Sequence, residues 1–450
     1  MTIFNTPINT LMPDSSRPYP NALLARPRSS AARRRRAVLW SLLAISAPGA
    51  AYGVSQWLIR SGMWSPDERG VVVEAHYEGN AVAGTVFNSS GVPASNASSP
   101  GARLTRAPYI QWTTTTSAHI VWDTYVAASS EVEYSVATPP GQTYNVVKTD
   151  KVTRHIVKLS HLQPGVLYRY RVGSNRRALA SGQFRTAKSA GQPFSFVVWG
   201  DSGMASRGQV SLSRQIEKAR PDFLLHTGDL IYPSGAARDY NPKFFDIYRT
   251  TLARVPFYGS LGNHDVRSRN GQPFLVNFVL PTNGPPGTAP ERNYSFDYAD
   301  AHVAVLDSNA GTSQLSEIIV PWLRQDMTRS RARWKFVVFH HPPYSSGLHG
   351  DDARIQRVLV PVLQQLKIDV VFNGHDHDYE RWKSRGGVVY LVTGAGGAVL
   401  YPRKRVDPAT AVFRERVFSY TRIDIAKRLL RGRQISIDGA VIDEWRMTKP

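Results

Sequence analysis

The chain contains no cysteine among its 450 residues. Disulfides cannot brace it, and no thiolate can serve as nucleophile or metal ligand. Stability must come from core burial and from any metal it binds. Acidic residues are scarce beside basic ones, 34 against 55, giving a formal net charge of +21. No nucleic-acid-binding motif accompanies this excess. The charge is spread along the chain, with runs at Arg403–Arg405 and from Arg414 to Arg433. Attraction for anionic substrates or an acidic cell surface accounts for it, without a specific nucleic-acid partner.

The first hundred residues read as a delivery system. A basic segment, 1–36, ends in the arginine block Arg33–Arg36. Residues 37–59 carry no charge and are long enough to cross a bilayer, which takes about 20 residues. The charge bias would hold the N-terminus in the cytoplasm and the rest outside. The same stretch suits a signal peptide cut near Ala50–Ala51. Arg35-Arg36-Ala37-Val38-Leu39 also loosely resembles a twin-arginine export signal. Segment 60–101 is a linker; from Gly79 on it is uncharged and rich in Gly, Ser, Asn and Ala. The expectation is an exported, periplasmic or extracellular protein with 37–59 as signal or membrane anchor. Sequons stand at Asn88, Asn96 and Asn293.

Such a length suits two globular units. Segment 102–188 is expected to be all-β, with alternation at His119–Trp122 and Glu131–Tyr134. Leu162, Pro164, Tyr168, Tyr170 and Val172 resemble the tyrosine corner of a fibronectin-type-III sandwich. Segment 190–450 mixes strands and helices. Helical patterns cover Gln209–Ala219, Phe244–Ala253, Glu317–Met327 and Ala353–Leu366. Later strands are expected at Val388–Val392, Phe418–Ile425 and Gln434–Asp438.

Five short segments carry the chemistry. They are G-D-S-G (Gly200–Gly203), G-D-L-I-Y (Gly228–Tyr232), G-N-H-D (Gly262–Asp265), V-V-F-H-H-P-P-Y (Val337–Tyr344) and G-H-D-H (Gly374–His377). Each follows a strand-like run: Phe194–Trp199, Phe223–His226, Val255–Leu261, Trp334–Phe339 and Ile368–Phe372. Such Val-, Ile- and Phe-rich runs suit strands buried on both faces. Functional groups gather at the carboxyl ends of strands like these. The residue types match a two-metal problem, in which paired cations clamp attacking and leaving oxygens of a phosphoryl transfer. One carboxylate must bridge, and Asp229 is the best candidate. Hard oxygens and imidazoles fill the rest. His375 and His377, two apart, can reach neighbouring metals from an extended loop.

Together the segments resemble those of the purple acid phosphatases, within the calcineurin-like metallophosphoesterases. The family pattern is G-D-x-G, G-D-x-x-Y, G-N-H-D/E, V-x-x-H and G-H-x-H, and this chain fills every position. The tyrosine belongs to that family and is missing from most other metallophosphoesterases. The resemblance implies an αββα sandwich, preceded in many members by a fibronectin-type-III-like domain. It implies Fe(III) held by Asp201, Asp229, Tyr232 and His377. A divalent ion (Fe, Zn or Mn) would be held by Asp229, Asn263, His340 and His375. Tyr232 would give the purple colour through charge transfer to iron. His264, next to Asn263, lies beside the ions, and the resemblance sets His349 facing the substrate. Both would hydrogen-bond phosphate oxygens, with His349 able to protonate the leaving alkoxide. Gly350 stands where plant members often carry a second histidine.

The expected reaction is phosphate-monoester hydrolysis by a metal-bound hydroxide, without a covalent phosphoenzyme. A trivalent ion should lower the pKa of its water further than a divalent one and favour an acid optimum. The alternatives are a phosphodiesterase on nucleotides or phospholipid headgroups, and a tethered binding protein with a vestigial metal site. His341 is read as packing against the site. Asp265, Asp376 and Asp378 are read as structural or as orienting the histidines. His155, His161, His226 and His302, off the motifs, are read as satisfied surface or core residues.

Overall fold

Long antiparallel strands build the N-terminal part of the computed structural model, which describes residues 102–139 and 141–449. The expected basic segment 1–36, the apolar segment 37–59 and the linker 60–101 lie outside the described residues. Among those described, no helix is long and apolar enough to cross a membrane. Strands β1 (Leu104–Gln111), β2 (Ala118–Val136), β3 (Tyr144–Leu159), β4 (Leu167–Ser174) and β5 (Arg177–Arg185) form one sheet in the order β1-β2-β4-β5, with β3 also against β2. His119–Trp122 and Glu131–Tyr134 belong to the same strand, β2. Register shifts between Asp123 and Ser130 divide it. Its first part pairs with β1 and its last with β4, while β3 follows both. Ile120, Trp122, Val157, Tyr168 and Phe184 pack its core. The Gln163 N–H donates to the Tyr168 hydroxyl at 2.9 Å, tying the corner before β4.

This sheet is hydrogen-bonded to the segment Asn241–Asn277. Arg106, buried, donates to Asn241 Oδ1 (2.7 Å) and Asn277 Oδ1 (2.6 Å). Tyr170 donates its hydroxyl to the Ala253 carbonyl at 2.9 Å. Burying these polar groups is tolerable because each has a partner.

Two further sheets face each other. One contains β6 (Phe194–Trp199), β7 (Phe223–His226), β8 (Phe257–Gly259), β16 (Ser419–Ala426), β17 (Leu429–Ser436) and β18 (Val441–Thr448), ordered β18-β17-β16-β6-β7-β8. The other contains β9 (Tyr294–Tyr298), β10 (Ala301–Val305), β11 (Trp334–Val338), β12 (Val370–Asn373), β13 (Tyr379–Trp382), β14 (Val389–Thr393) and β15 (Thr410–Arg414), ordered β15-β13-β14-β12-β11-β10-β9. The run β6-β7-β8 is parallel, as is β10-β11-β12-β14. Between the sheets Phe196 meets Phe336 edge-on at 5.3 Å and Phe372 at 6.1 Å.

Helices cover the outer faces. Helix α1 (Arg207–Ala219) is capped by Ser206, whose hydroxyl accepts from the Gln209 N–H, and it buries Leu212 and Ile216. On the other side α2 (Val320–Arg329), α3 (Ala353–Val358) and α4 (Val360–Gln365) pack Leu323, Met327, Ile355 and Leu363 against Val337 and Val371. The helix expected over Ala353–Leu366 breaks at Leu359, because Pro361 supplies no N–H to the preceding turn. The pattern over Phe244–Ala253 yields only a π turn at Asn241–Phe245 and one α turn at Arg249–Leu252. The sequon at Asn293 is buried, with its side-chain oxygen accepting from the Asp307 N–H.

Candidate metal centre

Every strand named ahead of a motif ends at one place. The loops after β6, β7 and β8 in one sheet meet those after β11 and β12 in the other. Backbone bonds knit them: Asp201 N–H to Gly228 O (3.0 Å), Ser202 N–H to Asp229 O (3.2 Å), and Gly374 N–H to His340 O (3.0 Å). Asp201, Asp229 and His375 all stand in the left-handed region, with φ of 57°, 54° and 73°. Non-glycine residues seldom adopt it, and such strain gathers at functional sites. Two motif glycines have a steric reason. A Cβ on Gly262 would collide with the Asp229 carboxylate, and one on Gly374 with that of Asp201.

The seven predicted ligands fall into two touching groups. In the first, the Tyr232 hydroxyl donates to Asp201 Oδ1 at 3.1 Å and lies 2.9 Å from His377 Nε2, itself 3.6 Å from Asp201 Oδ1. In the second, His340 Nε2 faces Asn263 Oδ1 at 3.0 Å, His375 Nδ1 at 3.2 Å and Asp229 Oδ2 at 3.5 Å. Asp201, Asp229 and His340 can bring ligand atoms within 4.8 Å of one another, so the groups adjoin.

Imidazole orientation is set from behind. The Nδ1 atoms of His340, His377 and His264 lie 2.9, 2.6 and 2.6 Å from the carbonyls of Thr227, Val399 and Pro233. Each carbonyl holds an Nδ1–H and turns Nε2 toward the centre. Asp265 and Asp376 act on loops, not on imidazoles. Asp265 accepts from the N–H groups of Leu230, Ile231 and Gly262, clamping the second loop to the third. Asp376 accepts from the His349 N–H (2.7 Å) and the Ser345 hydroxyl (2.5 Å). Asp378 is buried with neither carboxylate oxygen hydrogen-bonded. Burial, aided by Asp376 and Glu380, holds its carboxyl well above the usual range.

The buried charges of the centre act on one another. Burial, with Asp229 adding repulsion, pushes Asp201 well above the carboxylate range. Burial opposes the charge on Asp229 too, but His340 beside it pulls that carboxyl below its usual range. Burial alone would keep His340 neutral; Asp229 overrides it and lifts the imidazole to about 9. Burial drives His377 down to about 4 and raises Tyr232 well above an ordinary phenol. A bound cation would invert this logic for the phenol and for Asp201, and would reinforce the ionised form of Asp229.

His264 and His349 stand at the mouth. His264 Nε2 is 3.9 Å from Asp229 Oδ2, and the exposed His349 ring stacks on His375 at 4.2 Å. Off the motifs, His155 is bonded to Thr124 and Ser130 at 2.8 Å each, and His226 lies 3.0 Å from the Ser202 hydroxyl. Two further side chains line the centre: His341, expected to pack there, and Tyr401, which the motifs did not reach. His341 lies 2.8 Å from the Ser308 hydroxyl and 4.7 Å, centroid to centroid, from the His375 ring. With His340 and His375 it forms a second group able to hold a metal. Tyr401 stacks on His377 at 4.1 Å and 11°. The one signal for it was the Gly394-Ala395-Gly396-Gly397 run after β14, a sixth loop packed against the centre.

Residues 194–379 match the calcineurin-like phosphoesterase family. Purple acid phosphatase 3 of Arabidopsis thaliana is 28% identical over 280 residues, covering 56% of this chain and 75% of its own. Purple acid phosphatase 17 of the same plant is 28% identical over 250 residues, covering 50% and 73%. A purple acid phosphatase from yellow lupin (Lupinus luteus) seeds superposes with a TM-score of 0.67 at 18% identity, covering 76% of this chain and 74% of that one. That likeness carries the fold, and the sequence relatives carry the class. The chain thus bears a calcineurin-like metallophosphoesterase domain, has purple acid phosphatases among its relatives, and is a metal-dependent phosphatase hydrolase.

Proposed function

We propose that the protein hydrolyses phosphate monoesters at an Fe(III)–M(II) pair, with M being Fe, Zn or Mn. The observation that carries this reading is the meeting of the two ligand groups at Asp201 and Asp229. The donor chemistry fits. Asp201, Asp229, Tyr232 and His377 offer the oxygen-rich set that a hard trivalent ion favours. Asp229, Asn263, His340 and His375 offer the mixed set of a divalent ion, with Asp229 shared. Cations held there would activate water and neutralise phosphoryl charge. His264, its Nδ1 held by the Pro233 carbonyl, presents Nε2 to a phosphate oxygen. His349, exposed and backed by His375, is placed to hold a proton for the departing alkoxide. Gly350, as in the smaller animal-type enzymes, leaves that side of the mouth open.

The division into 102–188 and 190–450 belongs to the same proposal. The first part is a fibronectin-III-like packing partner, supported by the Gln163–Tyr168 bond and by the bulged halves of β2. Export, with 37–59 as signal or anchor, would deliver the enzyme outside the cytoplasm.

The test compares p-nitrophenyl phosphate with its bis ester at about pH 5 and about pH 8, alongside metal analysis. The expected result is faster monoester hydrolysis in acid, with iron and one divalent metal bound. Faster hydrolysis of the bis ester would overturn the monoesterase reading.

A further inference from the structure

Exposed apolar side chains gather around this mouth. Among the described residues eleven large hydrophobics are exposed, and four of them stand on loops of the centre. Met204 (43% exposed) is three residues past Asp201, and Leu348 (42%) precedes His349. Val399 (56%) lends its carbonyl to His377, and Val406 (81%) continues the same loop. Isolated exposed hydrophobics need no explanation, but a contiguous set beside a site does.

Hydrogen bonds hold the loops that carry these residues side by side. The Ser206 hydroxyl donates to Gly397 O (2.6 Å), and the Ala398 N–H to Asp201 O (2.8 Å). On the other side the Lys404 N–H donates to Ser346 O (2.9 Å) and its ammonium to Leu348 O (3.1 Å). Tyr401 fills the middle, parallel to His377 and edge-on to His349 at 5.5 Å. Across the centre the rim is polar and cationic, where His264 is followed by the exposed Arg267 and Arg269. The mouth therefore carries an apolar run from Met204 through Tyr401 to Leu348, edged by Lys404 and Arg405, and across the centre the polar, cationic rim of His264.

We propose that the substrates are phosphate monoesters of apolar alcohols, whose hydrocarbon chain lies across Met204, Val399, Tyr401 and Leu348. Sugar and nucleoside phosphates would leave that surface in water. The proposal rests on the phosphatase reading above and adds the leaving-group class. Among the described residues, the exposed large hydrophobics at the centre all lie on this side of an anchored phosphate.

The test uses the full-length, metal-loaded protein and alkylphosphonates from methyl to octyl, whose C–P bond resists hydrolysis. Calorimetric titration should show Kd falling about 2- to 4-fold per added methylene over the first several carbons. Met204→Ser, Leu348→Ser and Val399→Ser combined should flatten that dependence to below about 1.5-fold. Val147→Ser, an exposed apolar residue of β3, should keep the original dependence. Hydrolysis of glycerol phosphate and p-nitrophenyl phosphate is measured in parallel. If both esters turn over but chain length has no effect on Kd, this inference falls and the phosphatase reading stands. An unchanged chain-length dependence in the triple variant also sinks it. Absence of both methylphosphonate binding and ester hydrolysis would overturn the two together.

Discussion

His302 and His340 look alike electrostatically and differ in what surrounds them. Both are buried beside carboxylates, and in both the carboxylates outweigh burial and lift the imidazole to about 9. His302, on β10, has Asp297 Oδ1 2.7 Å from Nδ1 and Asp326 Oδ2 2.8 Å from Nε2. Two N–H donors meet two acceptors, and the count closes. At His340, Nδ1 is taken by a carbonyl, and Nε2 faces an amide oxygen, a carboxylate oxygen and another imidazole nitrogen. One proton cannot serve three lone pairs. A buried surplus of acceptors is what a cation resolves. A perturbed pKa alone therefore does not separate a structural histidine from a ligand; the ratio of lone pairs to protons does.

The sharpest way to break this contrast is to remove the shared carboxylate. Asp229→Ala should lower kcat/KM by about 10³-fold and empty both metal positions, read by elemental analysis. His302→Gln should leave activity within about twofold, since its partners lie away from the centre. A metal-replete Asp229→Ala protein would end the assignment of Asp229 as the bridge. Next in size is Tyr232→Phe. The phenol touches Asp201 and His377, the first group. Its loss should abolish any visible charge-transfer band while the divalent ion stays. A band that survives would remove Tyr232 from the ligand set. A smaller effect is expected from chelation. Stripping the ions leaves Asp201, Asp229 and His340 to share protons in a buried space, so the melting temperature should fall by several degrees. Equal melting with and without chelator would argue that the acceptors are satisfied without a cation.

Much of the centre was legible because ligand chemistry is local. Each of Asp201, Asp229, Asn263, His340 and His375 stands a few residues beyond a buried parallel strand, and each motif names its own loop. The helices were less legible because the apolar period over Ala353–Leu366 ignores what Pro361 does to the turn before it. β18 went unread because its alternating Val441–Thr448 sequence is half exposed and pairs only with β17. β17 was expected too late, at Gln434 in place of Leu429, because Arg431, Gly432 and Arg433 interrupt the apolar pattern of its first half. Tyr401 was hidden for a different reason, with only the glycine run Gly394–Gly397 ahead of it as a signal. Its partners His377 and His349 are distant in sequence, and nothing in the Val399-Leu400-Tyr401 stretch announces a metal site. Contacts made by packing across loops leave little local pattern at the contacting residue itself.

The smallest expected effect tests the other side of the comparison. The folded pKa of His302 lies near 9, above its ordinary 6.5. A raised histidine pKa contributes stability that is fully present below about 6.5 and is lost as pH rises through about 9. Asp297 is 75% exposed, so water screens its share and Asp326 carries most of the effect. His302→Gln should therefore destabilise the protein by roughly 1–2 kcal/mol at about pH 6 and by nearly nothing at about pH 10. Urea unfolding of both proteins at the two pH values measures the difference directly. A pH-independent difference would mean that His302 holds its partners as a neutral ring. The closed count of charges would then be the wrong account of why this histidine differs from His340.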